Sequence, residues 1–160
     1  MNKTGKLVIG LIVLGVIAYV IFSNINCGAS STNEKYQQFY DVVSESQACL
    51  DELADDIYRN WHDYIYNDKF SSIESAVYSA QLANADNLAT IEENEELIQS
   101  LYKELRDSDL SAEIKAVMQA YSEYYELVVN ISGSYNSYSA SKETCKKALA
   151  TALKNLSLEI

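Results

Sequence analysis

Two patterns of apolar residues divide the chain into an N-terminal segment and a longer remainder. Residues Leu7 to Phe22 form an apolar run of sixteen residues without a charged side chain. The remainder instead repeats apolar residues at alternating steps of three and four, the spacing that places them on one face of an α-helix. We therefore expect an apolar export or membrane segment followed by a helical region.

Three segments of the remainder carry this helical spacing. The first runs from about Asn33 to Tyr66, and the second from about Ser72 to Arg106. The third keeps one unbroken alternation from Ile114 to Leu156, straight through Gly133. One continuous third helix predicts an antiparallel three-helix bundle, whereas a break at Gly133 predicts a four-helix bundle.

Glycine and proline usage supports an all-α fold class. The chain has no proline, and only Gly28 and Gly133 follow residue 27. A β-sandwich or β-barrel needs such residues at its many turns. We expect an N-terminal transmembrane or signal-anchor helix, followed by an antiparallel, coiled-coil-like bundle of three or four helices.

Three of the ten seam positions in the second segment are asparagines: Asn84, Asn87 and Asn94. One interpretation is a polar layer that binds a ligand or fixes the register of the helices. The other is that Leu88 and Leu97, one face over, take the buried positions through a local shift of the repeat. We favour the second, because it needs no special role for the asparagines.

The N-terminal apolar run has the features of a membrane anchor. Crossing the bilayer takes about 20 apolar residues, a length that is reached if the helix continues to residue 26. Lys3 and Lys6 precede the run, so the positive-inside rule puts the N-terminus in the cytoplasm and the remainder outside. We expect a single-pass protein of the cell membrane. Its predicted parts are a cytoplasmic N-terminus at 1–6, a signal anchor at 7–26, a linker at 27–33 and an extracytoplasmic helical bundle at 34–160.

Cys27 keeps a second interpretation of this segment open. A basic start, an apolar run and a cysteine followed by small polar residues also resemble a bacterial lipoprotein signal, in which that cysteine is lipidated. Such signals carry an aliphatic residue three positions before the cysteine and a small one directly before it, whereas this chain has Asn24 and Asn26 there. We favour an uncleaved anchor, with a lipidated Cys27 or a cleaved soluble product as the alternatives.

The charge of the remainder excludes nucleic acid as a partner. After residue 30 the chain carries all 23 acidic residues but ten of the 12 basic ones, a net charge of −13. Binding to phosphates requires the opposite balance. Anionic lipid also repels an acidic surface, so the membrane is expected as a partner only through the N-terminal anchor.

Cys49 and Cys145 suggest a covalent link within the predicted bundle, because an extracytoplasmic pair is more often a disulfide than two free thiols. At 1.5 Å of rise per residue, three straight helices would leave the two about 25 Å apart in height. A reversal near Gly133 reduces this to about 10 to 15 Å, which tilt and slippage can close. The pair therefore favours four helices and a Cys49–Cys145 disulfide.

Residues that usually carry catalysis are scarce. His62 is the single histidine, and a lone histidine beside a tryptophan is more often a packing residue than a base. The sequence motifs of nucleophilic hydrolases, zinc proteases and phosphate-binding loops are absent. The acidic clusters at 51–56 and 92–96 lack the loop of a calcium site and are typical of solvated helix faces. We expect no enzyme activity, no cofactor and no bound metal.

Tyrosine is abundant, with twelve of the 13 tyrosines after residue 30. It suits recognition because it offers a large contact area and a hydroxyl at low entropic cost. Tyrosines on the helical seam are explained by core packing, whereas five lie off the seam and are candidates for a partner-facing surface. The five are Tyr40, Tyr58, Tyr78, Tyr102 and Tyr125.

These features favour an interaction or scaffold module in the cell envelope, which binds an envelope protein or associates with itself. The alternative is a small-ligand-binding lipoprotein or sensor-like domain, anchored through Cys27 and using Asn84, Asn87 and Asn94 as its site. Both interpretations place the bundle outside the cytoplasm. They differ in whether the asparagines bind a ligand or only support the fold.

Overall fold

The computed structural model describes residues 31–160, so the predicted anchor, the lipoprotein signal and Cys27 lie outside the described residues. Asn33–Ile160 form one compact unit. Helices hold 84% of the described residues and no strand occurs among them, which confirms the all-α fold class for this part of the chain. The helices are α1, Thr32–Tyr66; α2, Ile73–Ala83; α3, Ala85–Leu105; α4, Ser111–Val129; and α5, Tyr135–Ser157.

α1 is a single helix of 35 residues, about 52 Å long at 1.5 Å of rise per residue. Its buried side chains follow the predicted alternation of three and four, and Phe39, Leu50 and Ile57 have no exposed surface. Ser46 is a buried polar residue on this stripe, and its hydroxyl donates to the Val42 carbonyl at 3.0 Å. The continuous stripe lets α1 pack against several other helices along its length.

Asn84 interrupts the predicted second helix and separates α2 from α3. Its backbone leaves helical geometry, with φ −107° and ψ 29°, and its side chain donates to the Ala80 carbonyl at 3.0 Å. The Ala80 carbonyl also accepts from the Asn84 N–H at 3.1 Å, so the side chain adds a second hydrogen bond to the helical one. The prediction of one helix from Ser72 to Arg106 is therefore wrong at this residue.

The chain reverses at Gly133, between α4 and α5, which confirms the break over one continuous third helix. Gly133 has φ +89°, a left-handed conformation that residues with a Cβ rarely adopt. Ser134 then caps α5, because its hydroxyl accepts from the Ser137 N–H and the Ser137 hydroxyl accepts from the Ser134 N–H. The alternation is present on both sides of the break because each helix buries one face against the same core.

Contacts between helix ends show antiparallel packing. Lys35 near the start of α1 pairs with Glu104 at the end of α3 at 2.7 Å. Tyr58 towards the end of α1 stacks on Tyr135, the first residue of α5. α2 and α3 form one bent arm, and the four arms α1, α2–α3, α4 and α5 alternate in direction, as short connections between neighbours require.

The core between these arms is rich in tyrosine. Tyr121, Tyr124 and Tyr138 are among its largest fully buried side chains, as the seam positions predict. Between residues 31 and 160, no helix is both long and apolar enough to cross a membrane.

Candidate functional site

Six aromatic side chains gather where the end of α1 meets the start of α5, and we call them the aromatic end cluster. Tyr58 and Tyr135 stack with ring centroids 5.1 Å apart and 16° between the ring planes. The Trp61 centroid lies 5.6 Å from that of Tyr138 and 6.1 Å from that of Tyr135. Such pairs contribute about 0.5–1.5 kcal/mol each beyond the burial of their area. The members are Tyr58, Trp61, His62 and Tyr66 of α1, and Tyr135 and Tyr138 of α5.

The aromatic end cluster follows from the reversal at Gly133. The Ser134 cap fixes the first turn of α5, so Tyr135 and Tyr138 lie three residues apart on one face. The antiparallel return of the chain brings that face onto the last turns of α1. The sequence pattern did not predict the cluster, because it assigned Tyr58 to a partner-facing surface and the seam residues Tyr135 and Tyr138 to the core. The available signal was the density of aromatic residues just before residue 67 and just after residue 133.

Some members of the aromatic end cluster are buried and others are exposed to solvent. Trp61 and Tyr138 are 3% and 1% exposed, whereas Tyr66 is 63% exposed. The exposed His62 ring lies 4.7 Å from the Tyr66 ring and 6.2 Å from the half-buried Tyr135 ring, between centroids. We call these three residues, His62, Tyr66 and Tyr135, the exposed edge. It offers flat apolar area with polar atoms at its rim, which is the chemistry of recognition surfaces.

A buried lysine adjoins the cluster. Lys142 is 7% exposed, and its Nζ lies 2.5 Å from Asp55 Oδ1 and 4.8 Å from the Tyr58 ring centroid. Burial acts to lower the Lys142 pKa, but the hydrogen bonds and charges of Asp55 and Glu143 outweigh it and raise the pKa. The ammonium therefore stays protonated, which suits an ion pair and a cation–π contact rather than a nucleophile.

Asp51, one turn before Asp55, joins α1 to both α4 and α5. Its Oδ1 accepts from the Tyr124 hydroxyl at 2.7 Å, and its Oδ2 lies 3.1 Å from Lys146 Nζ. Burial, followed by the hydrogen bond to Asp51, raises the pKa of Tyr124 above its ordinary value. Tyr124 therefore stays a neutral donor, and the group has the character of a structural cross-link.

The three asparagines of the predicted polar layer lie along the contact between α3 and α1, and we call them the asparagine row. Asn84 is 7% exposed and the other two are half-buried. Leu88 and Leu97 are also only half-buried, so they do not displace the asparagines from the seam. Each amide nitrogen donates to a carboxylate of α1. The pairs are Asn84–Asp56 at 2.9 Å, Asn87–Glu52 at 2.8 Å and Asn94–Glu45 at 3.1 Å.

Cys49 and Cys145 are free thiols, so the structure does not support the predicted disulfide. The ion pair of Asp51 with Lys146 shows that the two cysteines lie at similar heights, as the reversal predicts. They lie on different faces, however. Cys49 and Glu52 lie on the side of α1 that contacts α3. Asp51 contacts α5, and its side chain is rotated by about 200° around the helix from that of Cys49. Matching height therefore does not bring the two sulfur atoms together.

The five tyrosines predicted to face a partner do not form one surface. Tyr78 is 65% exposed, whereas Tyr40, Tyr102 and Tyr125 are half-buried against the core. Tyr58 belongs to the aromatic end cluster. Within the described part of the chain, no ring contact joins any two of the five. Among the described residues, the exposed rings of His62 and Tyr66 do contact each other, at the exposed edge.

His62 lies beside the loop that follows α1, and the polar residues around it hold that loop together. Its Nδ1 is 3.9 Å from Asp63, which instead accepts from Lys69 at 2.7 Å and from Asn67 at 2.6 Å. These bonds, the one from Lys69 first, lower the Asp63 pKa and close the loop. Among residues 31–160 no group of three histidine, cysteine or carboxylate side chains is placed to hold a metal ion.

The described part of the chain thus belongs to the class of all-α antiparallel bundles, with an exposed aromatic edge at one end. No protein-family model matches the chain, and no curated protein or solved structure matches it either.

Proposed function

We propose that the chain is a membrane-anchored, extracytoplasmic helical bundle that serves as an interaction or scaffold module in the cell envelope. The single observation that carries the proposal is the exposed edge of His62, Tyr66 and Tyr135. No catalytic step and no cofactor form part of it. The expected partner is an envelope protein that contacts these rings.

The exposed edge supports binding because its rings are large and already held in place. Tyr66 is 63% exposed, yet its ring packs at 4.7 Å from His62 and 6.3 Å from Tyr135. A side chain that is ordered before binding loses less entropy in the complex. Tyrosine is also enriched among the residues that dominate binding energy at interfaces. Ile65, 41% exposed, adds aliphatic area at the same end of α1.

The anchor is supported by the sequence of the N-terminal segment. The uncharged run Leu7–Phe22 follows Lys3 and Lys6, which favours an N-terminus in the cytoplasm and a bundle on the other side. The charge of −13 repels anionic lipid, so the bundle is expected to stay in the aqueous phase beside the membrane.

The asparagine row gives the ligand-binding alternative less support. Its amide donors are already used by Asp56, Glu52 and Glu45, so a ligand would have to displace three carboxylates of α1. Attachment through a lipidated Cys27 is compatible with either role and needs its own test.

The intact mass of the membrane-extracted chain tests the anchor. An unmodified N-terminal segment supports the signal anchor. Loss of residues 1–26 with a diacylglycerol adduct on Cys27 would replace it with a lipid anchor. Loss of the same residues without an adduct would contradict both forms of attachment.

Site-specific photo-cross-linking in cells that express the chain tests the exposed edge. A photoreactive amino acid at Asn136, which is exposed beside Tyr135, is expected to give one discrete adduct. Tyr66→Ala is expected to abolish that adduct and to leave the helical content unchanged, because Tyr66 is mostly exposed. The matched control carries the probe at Ser122, an exposed position on α4. Equal adducts from both positions, or one that persists in Tyr66→Ala, would contradict the proposal.

A further inference from the structure

A groove of about 520 Å³ runs along the outer side of α4 and α5, and none of its lining residues belongs to the aromatic end cluster. Its floor is made by Ala116 and Ala120 of α4 and by Ala148 and Ala152 of α5. Small side chains let two helices approach closely, and these two helices are in extensive contact. Ala116 and Ala148 are nevertheless exposed, so the floor is open to a partner.

Two opposite charges stand on the two rims of this groove, which we call the α4–α5 groove. Glu123 lies on the α4 rim and Lys147 on the α5 rim, and both are exposed. Within the described residues, Lys147 has no ion-pair partner, and Glu123 accepts only from its own helix, from Gln119 at 2.9 Å. Each rim therefore has a charge that is free to meet an opposite one.

The charge distribution makes this side the one where a second copy can approach. Taken as a whole, the region after residue 30 carries −13, which opposes association of identical chains. On α3 the exposed charges are five carboxylates and one lysine, Lys103. On α4 and α5 the exposed charges balance, with three lysines and three glutamates. They are Lys115, Lys147 and Lys154, and Glu123, Glu126 and Glu143.

The two rim charges also lie at matching heights along the bundle. Glu123 is close enough to Cys145 that, after burial, its charge is the next cause of the raised pKa of that thiol. Lys147 is two residues further along α5, about 3 Å of rise. In two parallel copies related by an axis along the bundle, every residue meets the partner at its own height. Glu123 of each copy then comes opposite Lys147 of the other.

We propose that the α4–α5 groove is the self-association surface of this protein, which joins two parallel copies through its alanine floor and two reciprocal Glu123–Lys147 contacts. This inference goes beyond the proposed function, because it uses neither the exposed edge nor the anchor. α4, at 19 residues, and the combined width of two helices give on the order of 500 Å² per copy. That is below the roughly 800 Å² per partner of a standard interface, so the dimer is weak and reversible.

Carbodiimide cross-linking of the full-length chain in detergent tests the contact, because this reagent joins a carboxylate to an amine with no spacer. An equal mixture of unlabelled and ¹⁵N-labelled chain is expected to yield a mixed-isotope peptide that links Glu123 to Lys147. The mixed label separates links between copies from links within one copy. If no mixed-isotope link joins Glu123 to Lys147, the proposal is overturned, whether or not such links form at other residues.

Charge reversal provides the second measurement, by sedimentation of the same full-length chains. Glu123→Lys and Lys147→Glu are each expected to weaken dimerisation about tenfold or more, because each turns two attractions into two repulsions. An equal mixture of the two variants, or the double swap in one chain, is expected to restore it.

Matched controls on α3 are Glu96→Lys and Lys103→Glu, which make the same charge changes at exposed positions outside the groove. They are expected to leave dimerisation within about twofold of the parent chain. Single variants that behave like these controls, or a mixture that fails to recover, overturn the proposal. Neither outcome bears on the exposed edge, so failure here is distinguishable from failure of the proposed function.

Discussion

Gly133 decides the number of helices through its backbone alone. Its φ of +89° turns the chain between α4 and α5. A Cβ at this position would lie 2.8 Å from Ser137 Oγ, the atom that accepts from the Ser134 N–H at the start of α5. A side chain at residue 133 would therefore disturb both the turn and the cap that follows it.

Gly133→Ala is expected to lower the free energy of unfolding by about 1–2 kcal/mol, because alanine resists a left-handed conformation. Urea denaturation followed by circular dichroism measures the change. The control is Ser132→Ala, an exposed neighbour in the same loop, which should change stability by less than about 0.5 kcal/mol. Equal stability of Gly133→Ala and the parent chain would show that the loop can turn without a left-handed residue.

Tyr124 and Tyr125 are adjacent, but one hydroxyl is bonded and the other is not. Tyr124→Phe removes the 2.7 Å hydrogen bond to Asp51 and is expected to cost about 1–2 kcal/mol. Tyr125 is half-buried with no hydrogen bond among the described residues, so Tyr125→Phe should be nearly neutral. Denaturation of both variants under one set of conditions makes the comparison. Similar losses in both would remove the case for Asp51 as a structural acceptor.

At the scale of elements, apolar spacing predicted where the helices lie, but it did not predict every residue at which a helix is interrupted. The stripe on α1 is confirmed from Tyr36 to Ile57, because a long repeat at helical spacing fits an α-helix and does not fit a strand. In the last turns Trp61 is buried instead of the predicted positions 60 and 64, which are half-buried. The bend at Asn84 was not predicted, since apolar spacing carries no information about one residue whose backbone leaves helical geometry. The asparagine row depends on α1 carboxylates, which no spacing rule pairs with particular asparagines.

Asn84→Ala is expected to destabilise the bundle by about 1–2 kcal/mol, a fall in Tm of roughly 3–8 °C, because Asp56 and the α2–α3 bend lose a buried donor. Asn94→Ala, whose partner Glu45 is exposed, should lower the Tm by a smaller amount. Calorimetry of the two variants provides the test. If melting is unchanged and a ligand that stabilises the parent chain no longer stabilises the variants, the row is a binding site instead.

Cys49 and Cys145 are expected to react slowly with alkylating reagents in the folded chain. Burial raises the pKa of both thiols, and nearby carboxylates raise it further: Glu45 and Glu52 for Cys49, and Glu123 for Cys145. A raised pKa leaves less thiolate at pH 8, so labelling should be about tenfold slower or more than in urea. Peptide mass spectrometry measures each site. Labelling in urea that appears only after a reductant is added would instead show a disulfide.

At the scale of the whole molecule, the sequence could predict an antiparallel bundle but not which side chains would meet at its ends. The aromatic end cluster needs the end of α1 and the start of α5 to meet, and this depends on Gly133, where apolar spacing and cysteine geometry disagreed. The exposed edge also depends on which rings of the cluster stay in contact with solvent once Trp61 and Tyr138 are buried. Burial of that kind is a property of packing and leaves little trace in the spacing of residues.

Trp61 is the single tryptophan and is 3% exposed within the cluster, so its fluorescence reports the contact between α1 and α5. One continuous core predicts cooperative unfolding. The urea midpoint from Trp61 emission should therefore equal the midpoint from far-UV circular dichroism. An earlier loss of the fluorescence signal would show that the aromatic end opens separately from the rest of the bundle.

The bundle has four arms, and this even number determines where a reporter can be attached. Because α5 runs antiparallel to α1, residue 160 finishes near the level at which α1 begins, and Tyr66 stands at the far end. The 23 residues of α5 span roughly 35 Å, which separates the end of α5 from the aromatic end cluster. A fluorescent protein or affinity tag fused after Ile160 would thus leave the aromatic rings uncovered. An insertion in the 67–72 loop would place a reporter directly beside them.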